Sequence, residues 1–269
     1  MKFVSAFLLA LTMTTLLPAE EHAFLQNGVT AHRGNSAVNP ENTLPAFKSG
    51  IAAGADWLEL DIFLTKDGKL VVTHDKTTRR VGDKNLDVAE STYAELKTID
   101  VATDFRQRKQ LTKTECPPLR MPLLEEVLQL VKQQHKTRVS IQPKADCVKE
   151  AVALVKRLQM EPWAGFNDGN LNYMSQVKQL APKIPVFWDR GAETDIEADI
   201  KIAKERGFEG LVLHFKGITP EKVQQIKAAG LEPGAWTVND PTLMKQLLKQ
   251  GVERIYTDDP RLLLQLKNQ

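Results

Sequence analysis

Short runs of β-branched and aliphatic residues alternate along the chain with longer stretches in which apolar residues recur every three or four positions. The short runs are typical of buried strands, and the longer stretches are typical of amphipathic helices. Strands are predicted at 29–32, 57–64, 138–142, 163–167, 185–189, 210–214, 234–238 and 254–257. A helix pattern follows each strand, at 42–53, 123–133, 147–158, 170–180, 196–206, 220–229, 242–249 and 260–266.

This alternation predicts an α/β protein with a parallel sheet and crossover helices. Eight such units in about 250 residues are the typical size of a closed (β/α)₈ TIM barrel. The competing arrangement is an open doubly wound sheet, which usually carries a glycine-rich phosphate loop after its first strand. Neither G-x-G-x-x-G nor a Walker pattern occurs in the sequence, which favours the barrel.

One part of the chain departs from the regular alternation. After the second barrel strand, 66–68 has the pattern of a turn and 70–74 that of a short returning strand. Periodicity is then weak over about 76–121, a stretch longer than an ordinary βα loop. We therefore predict an inserted segment there, over one end of the barrel.

The N-terminus has the pattern of a secretory signal peptide. Lys2 precedes an uncharged and mostly apolar stretch at 3–17, which is followed by Pro18 and Ala19. The pattern predicts cleavage after Ala19, with 20–269 as a single barrel domain and a periplasmic or secreted location. An N-terminal anchor helix is the alternative, but the uncharged stretch is shorter than the roughly 20 residues that a bilayer core requires. We expect no stable membrane anchor.

Composition restricts the classes of partner. Hydrophobic content of 42% and charged content of 26% are ordinary for a globular protein. A net charge of +2 without a long basic run does not favour a nucleic-acid partner. Local charges must therefore hold any anionic substrate. The sequence leaves the oligomeric state open.

The sequence contains two cysteines, Cys116 and Cys147, and their spacing fits no zinc motif. An oxidising compartment would allow them to form a disulfide, which we predict from the signal peptide and the even count. Two separate thiols are the alternative.

Polar residues collect where the predicted strands end, which is the edge where barrel enzymes have their active sites. In chain order they are His32, Arg33, Glu59, Asp61, His74, Gln142, Lys144, Asp168, Asp189, His214, Trp236 and Asp258. Such a concentration of polar side chains in segments otherwise expected in the core predicts an active site.

Glu59 and Asp61 are two positions apart on a predicted strand, so both point to one face, together with Trp57. Neighbouring carboxylates in a crowded site repel each other and lose hydration. A hard divalent cation, Ca²⁺ or Mg²⁺, removes both penalties by binding oxygen ligands. The alternative is that each carboxylate pairs with Arg33 or Lys144.

His32 and His74 lie beside these carboxylates, and imidazole is suited to proton transfer near neutral pH. Arg33 and Lys144 are candidate anion-binding residues, since a guanidinium matches phosphate oxygens and an ammonium adds a point charge. Glu41 could pair with Arg33 and orient it. A cation, two basic side chains and two imidazoles favour phosphoryl chemistry.

Several of these residues belong to short motifs that occur in a fixed order. They are His32-Arg33-Gly34, Pro40-Glu41-Asn42-Thr43, Glu59-Leu60-Asp61, Val72-Thr73-His74-Asp75, Trp236-Thr237-Val238-Asn239 and Thr257-Asp258-Asp259-Pro260. Together they resemble the glycerophosphodiester phosphodiesterase family, from 30 to about 264.

The resemblance implies a barrel enzyme that hydrolyses glycerophosphodiesters to glycerol phosphate and an alcohol. It also suggests attack by the neighbouring glycerol hydroxyl, giving a cyclic phosphate that water then opens. The roles it implies are acid and base for His32 and His74, metal binding for Glu59 and Asp61, phosphate contact for Arg33 and Lys144, and a glycerol pocket lined by Trp236.

One position departs from the family pattern, which has Glu-x-Lys on the third barrel strand. This chain has Gln142 and Lys144 there, so the third expected metal ligand offers a carbonyl oxygen without charge. Two other functions are therefore considered. One is a catalytically weak phosphodiester-binding protein, against which the intact histidine pair argues. The other is a phospholipase-like barrel, which would favour an exposed apolar ridge, whereas 103–118 is mostly polar.

Overall fold

A computed structural model of the chain describes residues 28–252 and 254–268. In this part of the chain nine strands form one sheet, in the order β1-β9-β8-β7-β6-β5-β4-β2-β3. The strands are β1 (Val29–Ala31), β2 (Trp57–Leu64), β3 (Leu70–Val72), β4 (Arg138–Pro143), β5 (Ala164–Asp168), β6 (Val186–Arg190), β7 (Gly210–His214), β8 (Glu232–Trp236) and β9 (Arg254–Thr257).

The sheet is closed, because β1 pairs in parallel with both β2 and β9. β3 is antiparallel to β2 and stands outside the ring of parallel strands. The predicted (β/α)₈ barrel is therefore confirmed, and the open doubly wound sheet is excluded. The predicted signal peptide, 1–19, lies outside the described residues.

The helices are α1 (Leu44–Ala53), α2 (Tyr93–Leu96), α3 (Thr103–Lys109), α4 (Leu124–Lys132), α5 (Val148–Arg157), α6 (Leu171–Leu180), α7 (Ile196–Arg206), α8 (Pro220–Ala228), α9 (Pro241–Lys249) and α10 (Pro260–Lys267). Side-chain caps begin several of them, and Thr43, Asp240 and Asp259 each accept an N–H of the first turn. Each of these caps is followed by a proline near the start of its helix, where the missing N–H leaves no bond unmade. No helix of the described chain is long and apolar enough to cross a membrane.

Strand β2 separates two environments by its alternation. Leu58, Leu60 and Ile62 are buried in the main core between the sheet and the helices. Trp57 points to the barrel interior, where it packs against Phe187 in an edge-on contact with ring centroids 5.4 Å apart. The predicted faces of this strand are therefore confirmed, since Glu59 and Asp61 share the side of Trp57.

The seventh barrel strand, β8, is displaced from its predicted bounds of 234–238. The observed β8 begins at Glu232 and ends at Trp236, with Glu232 and Pro233 aligned against Gly210 and Leu211 of β7. Proline weakened the sequence pattern at the start of this strand because it cannot donate to a ladder. Register with β7 nevertheless keeps both residues in the sheet.

The inserted segment lies between β3 and α4 and contains the two short helices α2 and α3. Its apolar residues form a cluster of their own that packs against Phe63 and Val71 of the β2–β3 hairpin. An ion pair between Asp100 and Arg106 lies inside the segment, and Arg106 also donates to the carbonyl of Cys116 at 3.0 Å. The insertion is thus a packed structure attached to one hairpin of the barrel.

The predicted disulfide is wrong. Cys116 and Cys147 are both free and buried. Cys116 packs beside Phe105 in the insertion, whereas Cys147 lies in the main core at the start of α5. Each thiol fills space as a small apolar side chain in a separate cluster. Burial raises the pKa of the Cys147 thiol to about 12, so it is unreactive as well as unpaired.

Candidate active site

The turn after β1 places the first two site residues. Arg33 has φ of +56° and Gly34 has φ of +81°, so the chain reverses through two left-handed residues. Gly34 lies so close to α1 that an added Cβ would stand 2.7 Å from the backbone carbon of Ala46. This conformation directs the backbone N–H of Arg33 to Oε2 of Glu59, at 3.0 Å. A side-chain-bearing residue in this region is strained, and such strain is found where a fold fixes a functional group.

His32 is held by a partly exposed hydrogen-bond network centred on Asp258. Its Nδ1 lies 2.7 Å from Oδ1 of Asp258, which also accepts from Ser36 Oγ at 3.0 Å. The other Asp258 oxygen accepts from Asn239 Nδ2 at 2.7 Å. Burial alone would lower the pKa of His32, but the hydrogen bond to Asp258 and the charge of Glu59 raise it above its ordinary value.

His74 follows β3, and its Nδ1 lies 2.6 Å from Oδ1 of Asp75. Burial lowers the pKa of His74, and the charges of Arg33 and Lys144 act in the same direction. Asp61 and the hydrogen bond to Asp75 oppose this shift without reversing it. An ionised carboxylate can only accept, so Nδ1 of each histidine carries a hydrogen and Nε2 is left for a substrate. The two imidazoles are therefore shifted in opposite directions.

The paired carboxylates of β2 also differ from each other. Asp61 is fully buried and lies 3.2 Å from Lys144 Nζ and 3.3 Å from Arg33 Nε. It also accepts from Asn42 Nδ2 at 2.9 Å. Although burial opposes ionisation, Lys144 and Arg33 hold the pKa of Asp61 below its usual range. Burial and the charge of Asp61 instead raise the pKa of Glu59 to about 7.

Gln142 lies beside Asp61, since the two residues are register partners on β4 and β2. Its Nε2 donates to Oδ2 of Asp189 at 2.9 Å, and Asn167 Nδ2 donates to the same oxygen at 3.0 Å. Burial raises the pKa of Asp189 to about 8. Within the described residues, no three acidic, histidine or cysteine side chains are grouped to hold a metal ion. The amide oxygen of Gln142 is an uncharged oxygen ligand available beside the two β2 carboxylates.

Glu41 makes the predicted contact with Arg33, accepting from its Nη1 at 2.9 Å. It also accepts two hydrogen bonds from Arg80 of the insertion, at 2.7 and 2.8 Å. Burial opposes ionisation of Glu41, but the arginines hold its pKa below the usual range. Arg33 is therefore oriented from two sides, by Glu41 and by Asp61.

Trp236 and His214 end the neighbouring strands β8 and β7 at the barrel mouth. Their rings meet edge to face with centroids 5.0 Å apart, and the His214 ring stacks on Phe215 at 4.7 Å. His214 Nδ1 accepts from the Lys216 backbone N–H at 3.3 Å, in the cap of a short 3₁₀ turn. His214 is thus held by local contacts, whereas the partly exposed ring of Trp236 offers an apolar surface.

Several polar residues near the site had no role assigned from sequence. Among them are Asp75, Arg80, Asp189, Asn239 and Asp258. Ser36, Asn42 and Asn167 also donate hydrogen bonds to carboxylates of the site. Asp189 and Asp258 stand at predicted strand ends, and Asp75 and Asn239 lie in the quoted motifs, so a signal was available for these four. Arg80 lies in the weakly periodic insertion and gave no local signal.

The mouth of the closed barrel joins two aspartate-bound imidazoles, buried carboxylates and two basic side chains, a set of groups suited to chemistry on an anionic substrate. The profile of the "Glycerophosphoryl diester phosphodiesterase family" matches residues 32–262. The chain belongs to this family of phosphoric diester hydrolases, and the resemblance drawn from its motifs is confirmed.

Individual relatives extend over nearly the whole chain. A glycerophosphodiester phosphodiesterase of Caldanaerobacter subterraneus subsp. tengcongensis is 32% identical, covering 88% of this chain and 96% of its own length. A solved phosphodiesterase of Oleispira antarctica, in complex with the product sn-glycerol-3-phosphate, has a TM-score of 0.79 at 26% identity, covering 93% of this chain and 99% of its own. A glycerophosphodiester phosphodiesterase structure from Parabacteroides distasonis has a TM-score of 0.76 at 26% identity, covering 90% and 97%.

Proposed function

We propose that this chain hydrolyses glycerophosphodiesters to glycerol phosphate and an alcohol, with His32 and His74 as the proton-transfer pair. The observation that carries the proposal is that each imidazole is fixed through Nδ1 by an aspartate, at 2.7 and 2.6 Å. Fixing one nitrogen sets the tautomer and aims the other at the substrate. The product found in the relative from Oleispira antarctica supports the choice of substrate class.

The opposite pKa shifts suggest the role of each histidine. The raised pKa of His32 favours its protonated form, so we assign it to donate from Nε2 to the leaving alcohol oxygen. The lowered pKa of His74 favours its neutral form, so we assign its Nε2 to accept the proton of the attacking glycerol hydroxyl. One P–O bond forms to the glycerol oxygen as the bond to the alcohol breaks. Water then opens the cyclic phosphate, and the two histidines exchange roles.

Arg33 and Lys144 bind the phosphate in this proposal. Both already contact Asp61, within 3.2 to 3.3 Å, so their charges are fixed in place before a substrate arrives. Preorganised charges of this kind stabilise a transition state without reorganising during the reaction. Trp236 supplies an apolar surface for the carbon skeleton of glycerol.

We propose that a divalent cation, Ca²⁺ or Mg²⁺, is held by Glu59, Asp61 and the amide oxygen of Gln142. The fit rests on Glu59, whose pKa of about 7 marks a buried carboxylate without enough positive charge around it. Hydrogen bonding of the Gln142 nitrogen to Asp189 leaves its oxygen as the atom able to bind a cation. When bound, the cation would neutralise charge on the non-bridging phosphate oxygens.

Surface composition favours this substrate class over intact lipid. Among the described residues, the exposed large hydrophobic side chains are Val38 and Leu180, at 57% and 36% exposure. Neither belongs to the insertion, where an enzyme acting on a lipid surface would present apolar side chains. A binding protein without turnover would not require two imidazoles fixed for proton transfer.

The test uses two substrates that differ only in the leaving alcohol. With glycerophosphocholine, His32→Ala and His74→Ala should each lower kcat by about 10²–10⁴-fold. With the p-nitrophenyl diester, whose leaving group departs without a proton, His32→Ala should recover most of its rate of p-nitrophenol release in the first turnover, which precedes opening of the cyclic phosphate. His74→Ala should not, because the attacking hydroxyl still needs a base.

His135→Ala is the matched control, since His135 is exposed and lies beside Trp163, with ring centroids 6.0 Å apart. Relief of His74→Ala by the better leaving group, with none for His32→Ala, would reverse the assigned roles. More than about a tenth of wild-type kcat in either variant would remove that histidine from the chemistry.

We also propose that 1–19 is a cleaved signal peptide and that 20–269 acts in the periplasm or outside the cell. The supporting feature is the uncharged apolar stretch at 3–17 between Lys2 and Ala19. Intact-mass measurement of the protein expressed with its full sequence tests this. A mature chain that still begins at Met1 would contradict it.

A further inference from the structure

One exposed arginine joins the two halves of the site. We propose that Arg80 is a positioning residue, which holds the base-bearing pair His74–Asp75 at a fixed distance from the phosphate-binding Arg33. This inference rests on the proposed function, and no sequence pattern indicated it. It is carried by the hydrogen bonds of a single guanidinium.

Arg80 contacts two carboxylates with three nitrogens. Its Nε donates to Asp75 Oδ2 at 2.7 Å, while Nη1 and Nη2 donate to the two oxygens of Glu41 at 2.8 and 2.7 Å. Asp75 uses its other oxygen for His74, at 2.6 Å. Glu41 also accepts from Arg33 at 2.9 Å. The path from base to phosphate-binding residue therefore runs through Arg80 by direct hydrogen bonds.

The backbone that presents Arg80 is itself fixed. Thr78 is fully buried, and its hydroxyl donates to the Lys84 carbonyl at 2.6 Å and accepts from the Leu86 N–H at 2.9 Å. Val81 is buried in the apolar cluster of the insertion. The loop is thus anchored on both sides of Arg80, so the backbone from which the exposed guanidinium extends has a fixed position.

Close packing also restricts this loop at Gly82. A Cβ added there would stand 2.5 Å from the Ile99 side chain and 2.9 Å from the Thr78 carbonyl. The insertion consequently controls where Arg80 stands. The inserted segment supplies the barrel mouth with a bridging group that the barrel itself lacks at this point.

Bridging Glu41 and Asp75 in this way requires the planar guanidinium group of an arginine. A guanidinium can donate in parallel to both oxygens of Glu41 and still direct Nε to a second carboxylate. A lysine ammonium carries the same charge but cannot span both partners in this way. Charge alone and bridging geometry can therefore be separated by substitution.

The experiment compares Arg80→Ala, Arg80→Lys and Arg79→Ala in the full-length mature protein with glycerophosphocholine. Misplacing a reacting group by about 1 Å can lower a rate by about 10²-fold. We expect kcat to fall by about 10- to 100-fold in both Arg80 variants. KM should change less, because Arg33 keeps its contacts with Glu59 and Asp61.

Chemical rescue of kcat by a small cation separates a positioning role of the Arg80 guanidinium from a contribution to folding alone. Added guanidinium should restore part of kcat in Arg80→Ala, since the Arg80 side chain is 41% exposed and its place is open to solvent. Added ammonium at equal concentration should not. Arg79 is exposed and takes part in no ion pair in 28–252 or 254–268, so Arg79→Ala should match the wild type with either cation.

Full kcat in Arg80→Lys would overturn the proposal, because charge would then suffice without the fork. Equal rescue by ammonium and guanidinium would overturn it for the same reason. Should Arg80→Ala fail to fold, kcat of Arg80→Lys decides alone. Wild-type turnover is measured first, so an inactive wild type counts against the proposed function and not against the role of Arg80.

Discussion

Glu59 and Asp61 show how far the surroundings of single residues can differ. They stand two positions apart on one strand face, yet Asp61 contacts two basic side chains, whereas Glu59 accepts a backbone N–H. Their pKa values are accordingly shifted in opposite directions. A cation beside Glu59 would supply the neighbouring positive charge that Asp61 already receives from Arg33 and Lys144.

Gln142 offers a direct test of this cation site. Gln142→Glu should tighten divalent-cation binding on the order of tenfold, because it adds a charge next to Asp61 where only a carbonyl oxygen now stands. Calorimetric titration of both proteins with Ca²⁺ and with Mg²⁺ measures the change. Equal or weaker binding by the variant would place residue 142 outside the cation shell.

A second substitution, Asp189→Asn, corrects for the hydrogen bond that Gln142→Glu removes. In Gln142→Glu the hydrogen bond from Nε2 to Asp189, 2.9 Å in the wild type, is lost and two carboxyl groups face each other. Adding Asp189→Asn supplies a donor for the new carboxylate, so the double variant should bind the cation at least as tightly as the single one. Asp168→Asn is the control, since Asp168 accepts from the Asn170 backbone in its own loop.

At the scale of elements, the turn between β1 and α1 is the most constrained connection of the site. Two left-handed residues and the close approach of Gly34 to Ala46 hold His32 and Arg33 at the mouth. The helix that follows begins at the Thr43 cap, and Asn42 before it donates to Asp61. A small change in this turn therefore moves an imidazole, a guanidinium and a carboxylate contact together.

Gly34→Ala should destabilise the protein by about 1–3 kcal/mol, because the added Cβ would stand 2.7 Å from Ala46 backbone in a left-handed conformation. kcat should fall with it. Urea denaturation gives the free energy of unfolding, and turnover is assayed under conditions where the variant is folded.

The matched control is Gly54→Ala at the end of α1. Gly54 has φ of +87°, but an added Cβ there meets nothing within 4 Å. Gly54→Ala should therefore lose about 1 kcal/mol of the free energy of unfolding, which is the cost of a left-handed alanine without a clash. Its activity should stay that of the wild type. Equal losses of stability in the two variants would show that the contact with Ala46 is relieved at no cost.

At the scale of the whole molecule, barrel closure assembles the site from both ends of the chain. His32 and Asp258 are 226 positions apart in sequence and 2.7 Å apart in space. β1 lies between β2 and β9, so the strand ends that carry these residues are neighbours. Closure also buries the carboxyl groups of Glu59 and Asp189 with too little positive charge nearby to keep their pKa values in the ordinary range. The free energy of unfolding therefore depends on pH.

Without a cation, the free energy of unfolding should fall as pH rises from about 4.5 to about 7. Glu59 has an ordinary pKa of 4.5 and a folded-state pKa of about 7, so the folded protein binds the proton more tightly and loses that advantage across this window. The loss is on the order of 3 kcal/mol for this one group. Urea denaturation in chelator across the window measures it.

Glu59→Gln is the control, because its amide does not ionise and should flatten this pH dependence. Saturating cation should also flatten it in the wild type, since bound positive charge favours the ionised carboxylate. An unchanged slope in Glu59→Gln would assign the pH dependence to other groups, with Asp189 and its pKa of about 8 first among them.

Local sequence patterns were sufficient to predict the order of strands and helices, the face of β2 that carries Trp57, Glu59 and Asp61, and the strand ends where polar residues collect. These depend on local periodicity, which the chain expresses within a few residues. The positions of the site residues at one edge followed from the rule that parallel strands present their carboxyl ends together. Bounds were less accurate where proline interrupted the pattern, as at Pro233.

Which residues pair with one another depends on the fold of the whole chain. The choice of Asp258 for His32, of Asp189 for Gln142 and of Arg80 for Glu41 depends on barrel closure and on the fold of the insertion. The fold also places Cys116 and Cys147 in different apolar clusters. Burial and long-range charge set the pKa values, and neither is a property of a short stretch of sequence. Periodicity determines which face a residue occupies, whereas packing across the barrel determines its partner.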